Sequence, residues 1–398
     1  MALGARRTTI ADVAAASGVG VGTVSRVING AANVRETTRR AVLKVIDELG
    51  YRPSHLAASL SRGTARTVAI VVPHLTRPSA VMRLAGALAV LDEQGYDMIV
   101  CNVDTVEQRD HHLAALTRRH RADGVIVVSL RLSAAQLASF SRAGVPLVTV
   151  DAIAAGVPQT VTDDVAGGRL AAEHLLSLGH RRIGFVGDTM REAAAVSRLG
   201  FVVSQHRLGG YRQALAAAGV GYDPALVRRG PHGPANAEAL TAELLALPDR
   251  PSAIFAASDT QAMGVLAAAD RCGISVPGEL SVIGFDDIDS AALLGLSTVR
   301  QPLGDSGAEG ARRLCALMRG ERVIPMRQQL ALEVVQRSTT ASFHVTGPRV
   351  RSSAGAVRTG PAVVRPAFAP AGSAMVRTAI EAAGSCLYRV RRPGAMVR

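Results

Sequence analysis

Residues 9–29 read TIADVAAASGVGVGTVSRVIN and decide how the N-terminal part of the chain folds. Thr9 is a favourable N-cap, and the apolar residues after it recur at the spacing of one helical face. Gly18 ends this first helix, and a second helix beyond it turns Val24 and Val27 inward. Two helices of this length around a tight turn are typical of the helix-turn-helix, whose second helix lies in the major groove of DNA.

The same stretch contains Gly18, Gly20 and Gly22 at alternate positions, a pattern that also occurs in phosphate-binding loops. No predicted strand precedes it and no Gly-Lys-Ser/Thr follows it, which argues against a nucleotide site. A purely structural helical hairpin remains an alternative. The periodic apolar residues of 36–49, closed by Gly50, predict a third helix and so a small all-α headpiece.

The 45 basic and 32 acidic residues give the chain a net charge of +13 that is unevenly distributed. Residues 1–62 carry nine basic and four acidic groups, and residues 341–398 carry nine arginines against one glutamate. The stretch between them holds 27 residues of each sign. A neutral body with a basic N-terminal module indicates that the module is the part that meets a polyanion.

Cysteine usage and hydropathy exclude several classes of protein. The four cysteines are scattered without a Cys-x-x-Cys pair, which predicts free thiols in a reducing compartment. There is no apolar N-terminal leader and no membrane-length apolar run, so we expect a cytoplasmic protein without a membrane partner, associated with the nucleoid when bound to DNA. Residues 341–398, rich in Pro, Arg and small residues without a period, predict a disordered tail.

A short helix is predicted between Pro53 and Gly63, residues that favour the start and the end of a helix. It places Leu56 and Leu60 one turn apart with almost no core of its own to join. Because a helix so short is unstable alone, we expect it to form against another surface, as a hinge helix that folds on DNA would.

From Arg66 onward the pattern changes to buried-type strands alternating with helices. Strands are predicted at 68–72, 98–102, 124–129 and 147–150, and in a second series at 183–186, 253–256 and 281–285. This alternation is typical of parallel sheets covered by helices on both faces. The two series predict two α/β lobes with a ligand cleft at the carboxyl ends of the strands.

Polar residues follow three of these strands, where such a cleft places its ligand contacts. They are Asp151, Ser258 with Asp259, and Asp286 with Asp287. Aspartate and serine also serve as helix N-caps in such loops, and we expect that role for Asp259. The recurrence of the feature at three strand ends favours ligand binding.

A catalytic or metal site is the competing interpretation of the acidic residues. The pairs Asp163-Asp164 and Asp286-Asp287 could hold a metal or act as acid and base. Neither pair has a histidine at ligand spacing, and no Gly-x-Ser-x-Gly elbow is present. We therefore predict no catalytic residue, no metal site and no cofactor.

The chain resembles the lactose/galactose-repressor (LacI/GalR-type) family of transcription regulators over about residues 8–340. The motifs that carry the resemblance are, in order, TIADVA, GTVSRVING, TRRAVL, ELGYRP, SLSRG, VAIVVP, ADGVIV, AAEHLLSLGHRRI, HRLGGY, PSAIFAASD and VIGFDD. The resemblance implies a helix-turn-helix headpiece in 1–52, a hinge helix and linker in 53–65, and a two-lobed periplasmic-binding-protein-like α/β core in 66–340, followed by the tail 341–398. It also implies a homodimer or dimer of dimers on pseudo-palindromic, double-stranded operator DNA.

By this resemblance the first positions of the second helix read base edges, and a hinge leucine wedges into the central minor-groove step. The implied DNA-binding residues are Thr9, Val21, Gly22, Thr23, Ser25, Arg26, Asn29, Ala57 and Leu60. Arg26 can bond guanine bidentately, and a good pair of this kind discriminates by roughly 1–3 kcal/mol. Because Val21 offers only apolar contact and Gly22 none, we expect Arg26 to carry an unusual share of the specificity.

The same resemblance places effector contacts at Pro78, Asp151, Arg207, Ser258, Asp286 and Leu303. Arg207 with the two aspartates could grip sugar hydroxyls through charge-assisted hydrogen bonds, and a salt bridge between the lobes is an alternative role for it. After Pro78 the family's usual aromatic pair is replaced by Ser79-Ala80, and Ser258 stands in place of a frequent asparagine. These departures leave the identity of the effector open.

The leading hypothesis is a transcriptional repressor whose operator affinity is controlled by a sugar or related metabolite bound between the lobes. A solute-binding receptor without a DNA function is the first alternative, and a sugar-processing enzyme is the second. A receptor would need an export signal and would be a monomer, whereas an enzyme would show turnover that depends on Asp286.

Overall fold

The structure, a computed structural model, describes residues 8–28, 30–31, 33–51, 65–118, 121–188 and 202–343. Within these ranges the chain forms a three-helix headpiece and two α/β lobes. The predicted hinge helix and nearly all of the predicted tail lie outside the described residues. The same is true of three predicted DNA-binding residues, Asn29, Ala57 and Leu60.

The headpiece consists of α1 (Ile10–Ser17), α2 (Val21–Ile28) and α3 (Glu36–Glu48). A capping box starts α1: Thr9 Oγ1 accepts from the backbone N of Asp12, and the Asp12 carboxylate accepts from the backbone N of Thr9. The first helix ends, as predicted, in the left-handed conformation that glycine favours. The buried core of the headpiece includes Val13, Val24, Val27, Val42 and Tyr51.

The N-lobe is a parallel six-stranded sheet with helices on both faces. Its strands are β1 (Thr67–Pro73), β2 (Asp97–Val103), β3 (Gly124–Val128), β4 (Leu147–Val150), β5 (Gln159–Val161) and β11 (Arg327–Gln329). Its helices are α4 (Pro78–Glu93), α5 (Val106–Leu116), α6 (Ala134–Ala143) and α12 (Leu303–Met318). The strand order across the sheet is β11-β5-β4-β3-β1-β2.

The C-lobe repeats this architecture. Its strands are β6 (Ile183–Asp188), β7 (Val227–Gly230), β8 (Ala253–Ala256), β9 (Ser281–Asp286), β10 (Ser297–Arg300) and β12 (Glu333–Val335). Its helices are α7 (Asp164–Ser177), α8 (Val203–Ala217), α9 (Pro234–Leu245), α10 (Asp259–Arg271) and α11 (Asp289–Leu293), with a 3-10 turn at Pro224–Leu226. The order is β12-β10-β9-β8-β6-β7, and only β12 is antiparallel to its neighbour.

Within the described ranges the chain passes between the lobes three times: after β5, after β10 and between β11 and β12. The predicted fold class, two α/β lobes with parallel sheets behind a helical headpiece, is thereby confirmed. All seven predicted strands are present with ends within two residues, whereas β5, β7, β10, β11 and β12 were not predicted. None of the helices in the described ranges combines the length and the apolarity that crossing a membrane requires.

The expectation that Asp259 caps a helix was wrong, because the preceding residue does so. Ser258 is the N-cap of α10, and its Oγ accepts from a backbone N of the first turn at 3.2 Å. Asp259 is buried, and its carboxylate accepts from Thr298 Oγ1 at 2.6 Å and from the backbone N of Ile288 at 3.0 Å. Burial raises the pKa of Asp259 to about 7. The residue therefore ties the end of β9 to β10.

Two helix pairs approach closely because glycines lie at the contacts. Gly168 of α7 faces the backbone of Arg207 in α8, and Gly210 of α8 faces the backbone of α7 in return. In the N-lobe, Gly307 of α12 faces the backbone of Arg83 in α4. A Cβ atom on Gly168 or Gly307 would collide with the carbonyl oxygen of the facing arginine. These contacts fix where the two arginines sit along their helices.

Gly168→Ala should destabilise the protein by about 1–3 kcal/mol, because the added methyl group overpacks the contact with the backbone of Arg207. Gly209→Ala is the matched control, since a Cβ there meets open space. Gly209 lies within α8, where alanine in place of glycine should stabilise the protein by roughly 0.5–1 kcal/mol. Urea unfolding of the full chain, followed by circular dichroism, measures both free energies of unfolding. Equal effects of the two substitutions would contradict the glycine-dependent contact.

Candidate functional site

The exposed face of α2 is the first candidate surface. Val24 and Val27 turn the opposite face into the headpiece core, and Val21, Gly22 and Arg26 are exposed. Val21 keeps 45% of its surface accessible although it is apolar. Three of the predicted base-reading positions therefore lie on the solvent side of one helix.

Among the described residues, Arg26 makes hydrogen bonds only along its own helix. Its Nε donates to the carbonyl oxygen of Gly22 at 3.2 Å, and its Nη2 lies 3.5 Å from Oγ1 of Thr23. Both contacts are long and exposed, so the guanidinium can exchange them for acceptors on a base edge. The other described candidates are Thr9, exposed at the start of α1, and Thr23 and Ser25, which are partly buried.

The cleft between the lobes, at the carboxyl ends of both sheets, is the second candidate site. Five of the six predicted effector residues line it: Pro78, Asp151, Arg207, Ser258 and Asp286. Leu303, the first residue of α12, is buried with 2% exposed and is not among the lining residues. The polar residue that the same segment contributes to the cleft is Gln301.

Three groups hold Asp151 at the end of β4. Its Oδ2 accepts from Ser129 Oγ at 2.8 Å and from Arg83 Nη2 at 3.1 Å, and its Oδ1 accepts from Thr162 Oγ1 at 3.2 Å. Asp151 and Ser129 have φ angles of +55° and +50°, in the left-handed region that side chains other than glycine rarely adopt. Such backbone strain persists where surrounding contacts enforce it, and it is frequent at ligand sites.

Arg207 is the centre of the corresponding cluster in the C-lobe. Its Nε donates to Asp164 Oδ1 at 2.8 Å, and its Nη1 donates to the carbonyl oxygen of Ala257 at 2.6 Å and lies 3.4 Å from Asp286 Oδ1. Its guanidinium carbon lies 3.7 Å from the centroid of the Phe285 ring, a cation–π contact. Both carboxylates belong to the C-lobe, so within the described ranges Arg207 forms its ion pairs inside one lobe and not between the lobes.

Burial controls the ionisation of the two carboxylates beside Arg207. It raises the pKa of Asp164 to about 6, because the loss of solvation outweighs the attraction of Arg207. It also raises the pKa of Asp286, against the charges of Arg207 and Arg83. Asp164 is thus ionised at neutral pH and begins to protonate just below it, which weakens its ion pair with Arg207 in mildly acidic solution.

Gln301 joins the two clusters. It follows β10, where the chain passes back to the N-lobe, and only 4% of it is exposed. Its Oε1 accepts from Arg83 Nη2 at 3.2 Å and lies 3.3 Å from Thr162 Oγ1, whose single proton it shares with Asp151, and its Nε2 donates to Asp286 Oδ1 at 2.6 Å. Because an amide both donates and accepts, hydrogen bonds run without a break from Asp151 in the N-lobe to Asp286 in the C-lobe.

A further polar cluster lies at the end of β6. Asp188 Oδ1 accepts from Gln261 Nε2 at 3.1 Å and lies 3.2 Å from His232 Nδ1, and its Oδ2 lies 3.8 Å from Arg77 Nη1. Burial alone would raise the pKa of Asp188, but the hydrogen bond to His232 and the charges of His232 and Arg77 together lower it. Since Arg77 belongs to the N-lobe, this ion pair is a direct contact between the lobes.

The acidic pairs considered as metal ligands or acid–base groups serve other contacts. Asp163 caps α7, and Asp164 binds the arginine described above. Asp287 is not among the residues that line the cleft, and its carboxylate accepts from Arg300 and from Arg337, each at 2.7 Å. Among the described residues, no three His, Cys, Asp or Glu side chains are grouped so that they could hold a metal ion.

Several residues of these clusters were not predicted, among them Arg83, Ser129, Thr162, Asp188 and Gln301. Ser129 and Asp188 lie at strand ends, so the rule that pointed to Asp151 applies to them as well. Arg83 lies inside a helix, whereas Thr162 and Gln301 lie in the segments between the lobes. No local pattern marks such positions as ligand contacts.

The two parts of the chain match separate family models. Residues 9–54 match the model described as bacterial regulatory proteins, lacI family, and residues 172–340 match the periplasmic binding protein-like domain. The HTH-type transcriptional regulator DegA of Bacillus subtilis is 33% identical over 350 residues, which cover 85% of this chain and 99% of DegA. The HTH-type transcriptional regulator CelR of Thermobifida fusca is 34% identical over 346 residues, covering 84% and 98%.

Solved structures agree with these matches. The transcriptional regulator CelR–cellobiose complex is 32% identical with a TM-score of 0.60, covering 84% of this chain and 100% of that one. The lac repressor dimer bound to operator and the anti-inducer ONPF is 26% identical with a TM-score of 0.71, again covering 84% and 100%. With regulators aligned over nearly their whole length, from headpiece to second lobe, this chain belongs to the LacI family of DNA-binding transcriptional regulators.

Proposed function

We propose that this regulator is a repressor that binds a pseudo-palindromic operator as a homodimer, and that a small effector in the cleft changes its operator affinity. The observation that carries the proposal is a cleft in which buried hydrogen bonds run from one lobe to the other, in a chain whose α2 exposes Arg26. A ligand that replaces one of these hydrogen bonds changes how the lobes meet. It can therefore bias the conformations that bind DNA.

A sugar or related polyhydroxylated metabolite is the effector class that the cleft favours. CelR was solved with cellobiose, and the lac repressor with ONPF. In this chain Asp151 and Asp286 offer carboxylate acceptors and Arg207 offers donors, which suits hydroxyl groups. Phe285 is fully buried beneath Arg207 and offers no stacking surface. Among the described residues that line the cleft there is no Phe, Tyr or Trp, so polar contacts dominate recognition by this part of the chain.

A homodimer is supported by apolar side chains exposed along one edge of the N-lobe. Val81 and Leu88 lie seven residues apart on α4 and are 51% and 37% exposed, and Ile99 on β2 is 44% exposed. Since β2 is the outermost strand of its sheet, these side chains form an exposed apolar edge. Exposed apolar side chains on neighbouring elements favour an interaction site, and a two-fold operator requires a second copy of the chain.

The two alternatives lack a comparable observation in their favour. A solute-binding receptor has no use for a helix-turn-helix with an exposed reading face. The structure argues against the enzyme hypothesis, because the acidic pair that could act as acid and base makes structural contacts. Asp163 caps α7, and Asp164 forms an ion pair with Arg207. We therefore propose a regulator without catalytic turnover.

Arg26→Ala should abolish the specific footprint of the protein near its own operon. The expected rise in the Kd for operator is roughly 5- to 150-fold, because a bidentate guanine contact contributes about 1–3 kcal/mol. Arg40→Ala is the charge-matched control: its side chain is 75% exposed and pairs with Glu36 on α3, so its loss should weaken all duplexes alike. DNase footprinting and fluorescence anisotropy, with operator and scrambled duplexes, measure both. Equal affinity of Arg26→Ala and wild type for the operator would refute the assignment.

Val81→Glu should convert the dimer into a monomer, because it places an unpaired charge in an apolar interface. Ile324→Glu is the control, since Ile324 is 71% exposed and lies just before β11, at the opposite edge of the same sheet. Light scattering coupled to size exclusion distinguishes the two states. A Val81→Glu variant that stays dimeric at low micromolar concentration would show that the dimer contact lies elsewhere.

A further inference from the structure

A repeated tetrapeptide places an arginine at the same point of each lobe. Residues 83–86 of α4 read RLAG, and residues 207–210 of α8 read RLGG. Each helix follows the first strand of its sheet, and the two sheets share one strand order. In both, the glycine at the fourth position packs against the backbone of the helix that enters from the other lobe: Gly86 against α12 and Gly210 against α7. Arg83 thus occupies in the N-lobe the position that Arg207 occupies in the C-lobe.

The chemical surroundings of the two arginines also match. Arg83 Nη2 lies 3.1 Å from Asp151 Oδ2 at the end of β4, and Arg207 Nη1 lies 3.4 Å from Asp286 Oδ1 at the end of β9. These strands are the fourth in chain order in their lobes. Both arginines line the cleft, with exposed fractions of 6% and 5%. Opposite walls of the cleft therefore present the same arginine–aspartate pair.

The described residues do not use all the donors of Arg83. Its Nη2 makes both of its hydrogen bonds, to Asp151 and Gln301, whereas its buried Nε has no partner. Its Nη1 likewise has no acceptor in the described ranges, and the same holds for Nη2 of Arg207. Of these three atoms only Nε of Arg83 is buried without a partner, and a buried donor left unused is costly. The two Nη atoms offer donors to ligand oxygens in the cleft.

We propose that Arg83 is a second effector-gripping residue, so that arginine–aspartate pairs from the two lobes hold the ligand at opposite edges. The inference rests on the proposed effector-binding function of the cleft. Each pair offers a donor beside an acceptor, which is the complement of a hydroxyl that accepts from the guanidinium and donates to the carboxylate.

The charge of the cleft narrows the ligand class. Among the described residues that line it, besides His232, there are three arginines and three aspartates, so their charges balance and give no excess of positive charge that would favour an anion. The ligand that fits this lining is a compact neutral molecule with hydroxyls on opposite edges, such as a sugar ring. A phosphorylated or carboxylated sugar would bring a charge that the lining does not balance.

Binding at Arg83 also affects the contact between the lobes. Arg83 Nη2 donates to Gln301, which in turn bonds Asp286 of the C-lobe. A ligand hydroxyl that bonds Arg83 either replaces the hydrogen bond from Arg83 to Gln301 or forms a second bond beside it. Ligand recognition and the contact between lobes therefore share one side chain.

Calorimetric titration of full-length wild type, Arg83→Met and Arg207→Met with glucose, ribose, cellobiose and glucose 6-phosphate tests the inference. At least one neutral sugar should bind wild type, and both variants should bind it roughly 10- to 100-fold more weakly, the loss expected for hydrogen bonds to a charged group. Glucose 6-phosphate should bind no better than glucose. Arg313→Met is the control, because Arg313 is 5% exposed in α12 but does not line the cleft. It should lower the melting temperature without changing sugar affinity.

Monodeoxy analogues of the sugar that binds separate direct contact from a structural role. One analogue should lose affinity for wild type but not for Arg83→Met, because its missing hydroxyl is the one that Arg83 contacts. Arg83→Met that binds the sugar as tightly as wild type, while Arg207→Met does not, would overturn the role of Arg83. A preference for glucose 6-phosphate, or no binding of any neutral sugar, would overturn the ligand class.

Operator footprinting of the same proteins keeps these outcomes distinct from a failure of the proposed function. Arg83→Met should still give a specific footprint in the absence of sugar, since the headpiece is unchanged, although its operator Kd should shift because the hydrogen bond from Arg83 to Gln301 is lost. If Arg83→Met binds the sugar as tightly as wild type while wild type still gives a specific footprint, the role of Arg83 is refuted but the proposed repressor function is not. A wild-type protein without any specific footprint would refute the proposed function itself.

Discussion

The arrangement of the cleft depends on the hydrogen bonds of the Gln301 side-chain amide. Its oxygen faces Arg83 in the N-lobe and its nitrogen faces Asp286 in the C-lobe, in a segment where the chain passes between them. A carboxylate there would repel Asp286, and a hydrocarbon would leave a buried arginine and a buried aspartate without these hydrogen bonds. The amide therefore lets buried charges of both lobes face each other across a cleft that still has unused donors. A ligand acts on the same groups, which is why binding and the meeting of the lobes are linked.

Most of the fold could be predicted from local sequence patterns, because buried strands and amphipathic helices each have their own period. The strands that escaped prediction are short or partly polar, and Val227–Gly230, for example, contains two arginines. Such segments are strands because a neighbouring strand pairs with them, and pairing is a property of the folded chain. Asp259 shows the same limit at one residue: its sequence position suits a helix cap, but it is buried beside β9 and β10, and Ser258 takes the cap.

The site was predicted only in part, and the division has a physical basis. Strand-end residues such as Asp151 and Asp286 could be predicted, because the carboxyl ends of parallel strands converge in any fold of this class. Leu303 came from the family resemblance and is buried, whereas Gln301, two residues earlier, faces the cleft. Arg83 gives no local sign of its role, since a helix-interior arginine is normally a solvated one. The informative feature is the likeness between the two halves of the core, which pairs Arg83 with Arg207 across the cleft.

If the hydrogen-bonded path through Gln301 governs how the lobes meet, breaking it must alter DNA binding even without a ligand. The most direct measurement is the Kd of full-length Gln301→Leu for the footprinted operator, by fluorescence anisotropy in the absence of any sugar. We predict a change of roughly fivefold or more, the lower range of coupling between linked sites, with nonspecific DNA affinity unchanged because the headpiece is untouched. An operator Kd equal to that of wild type, in a variant that remains folded, would contradict a coupling between the cleft and the headpiece.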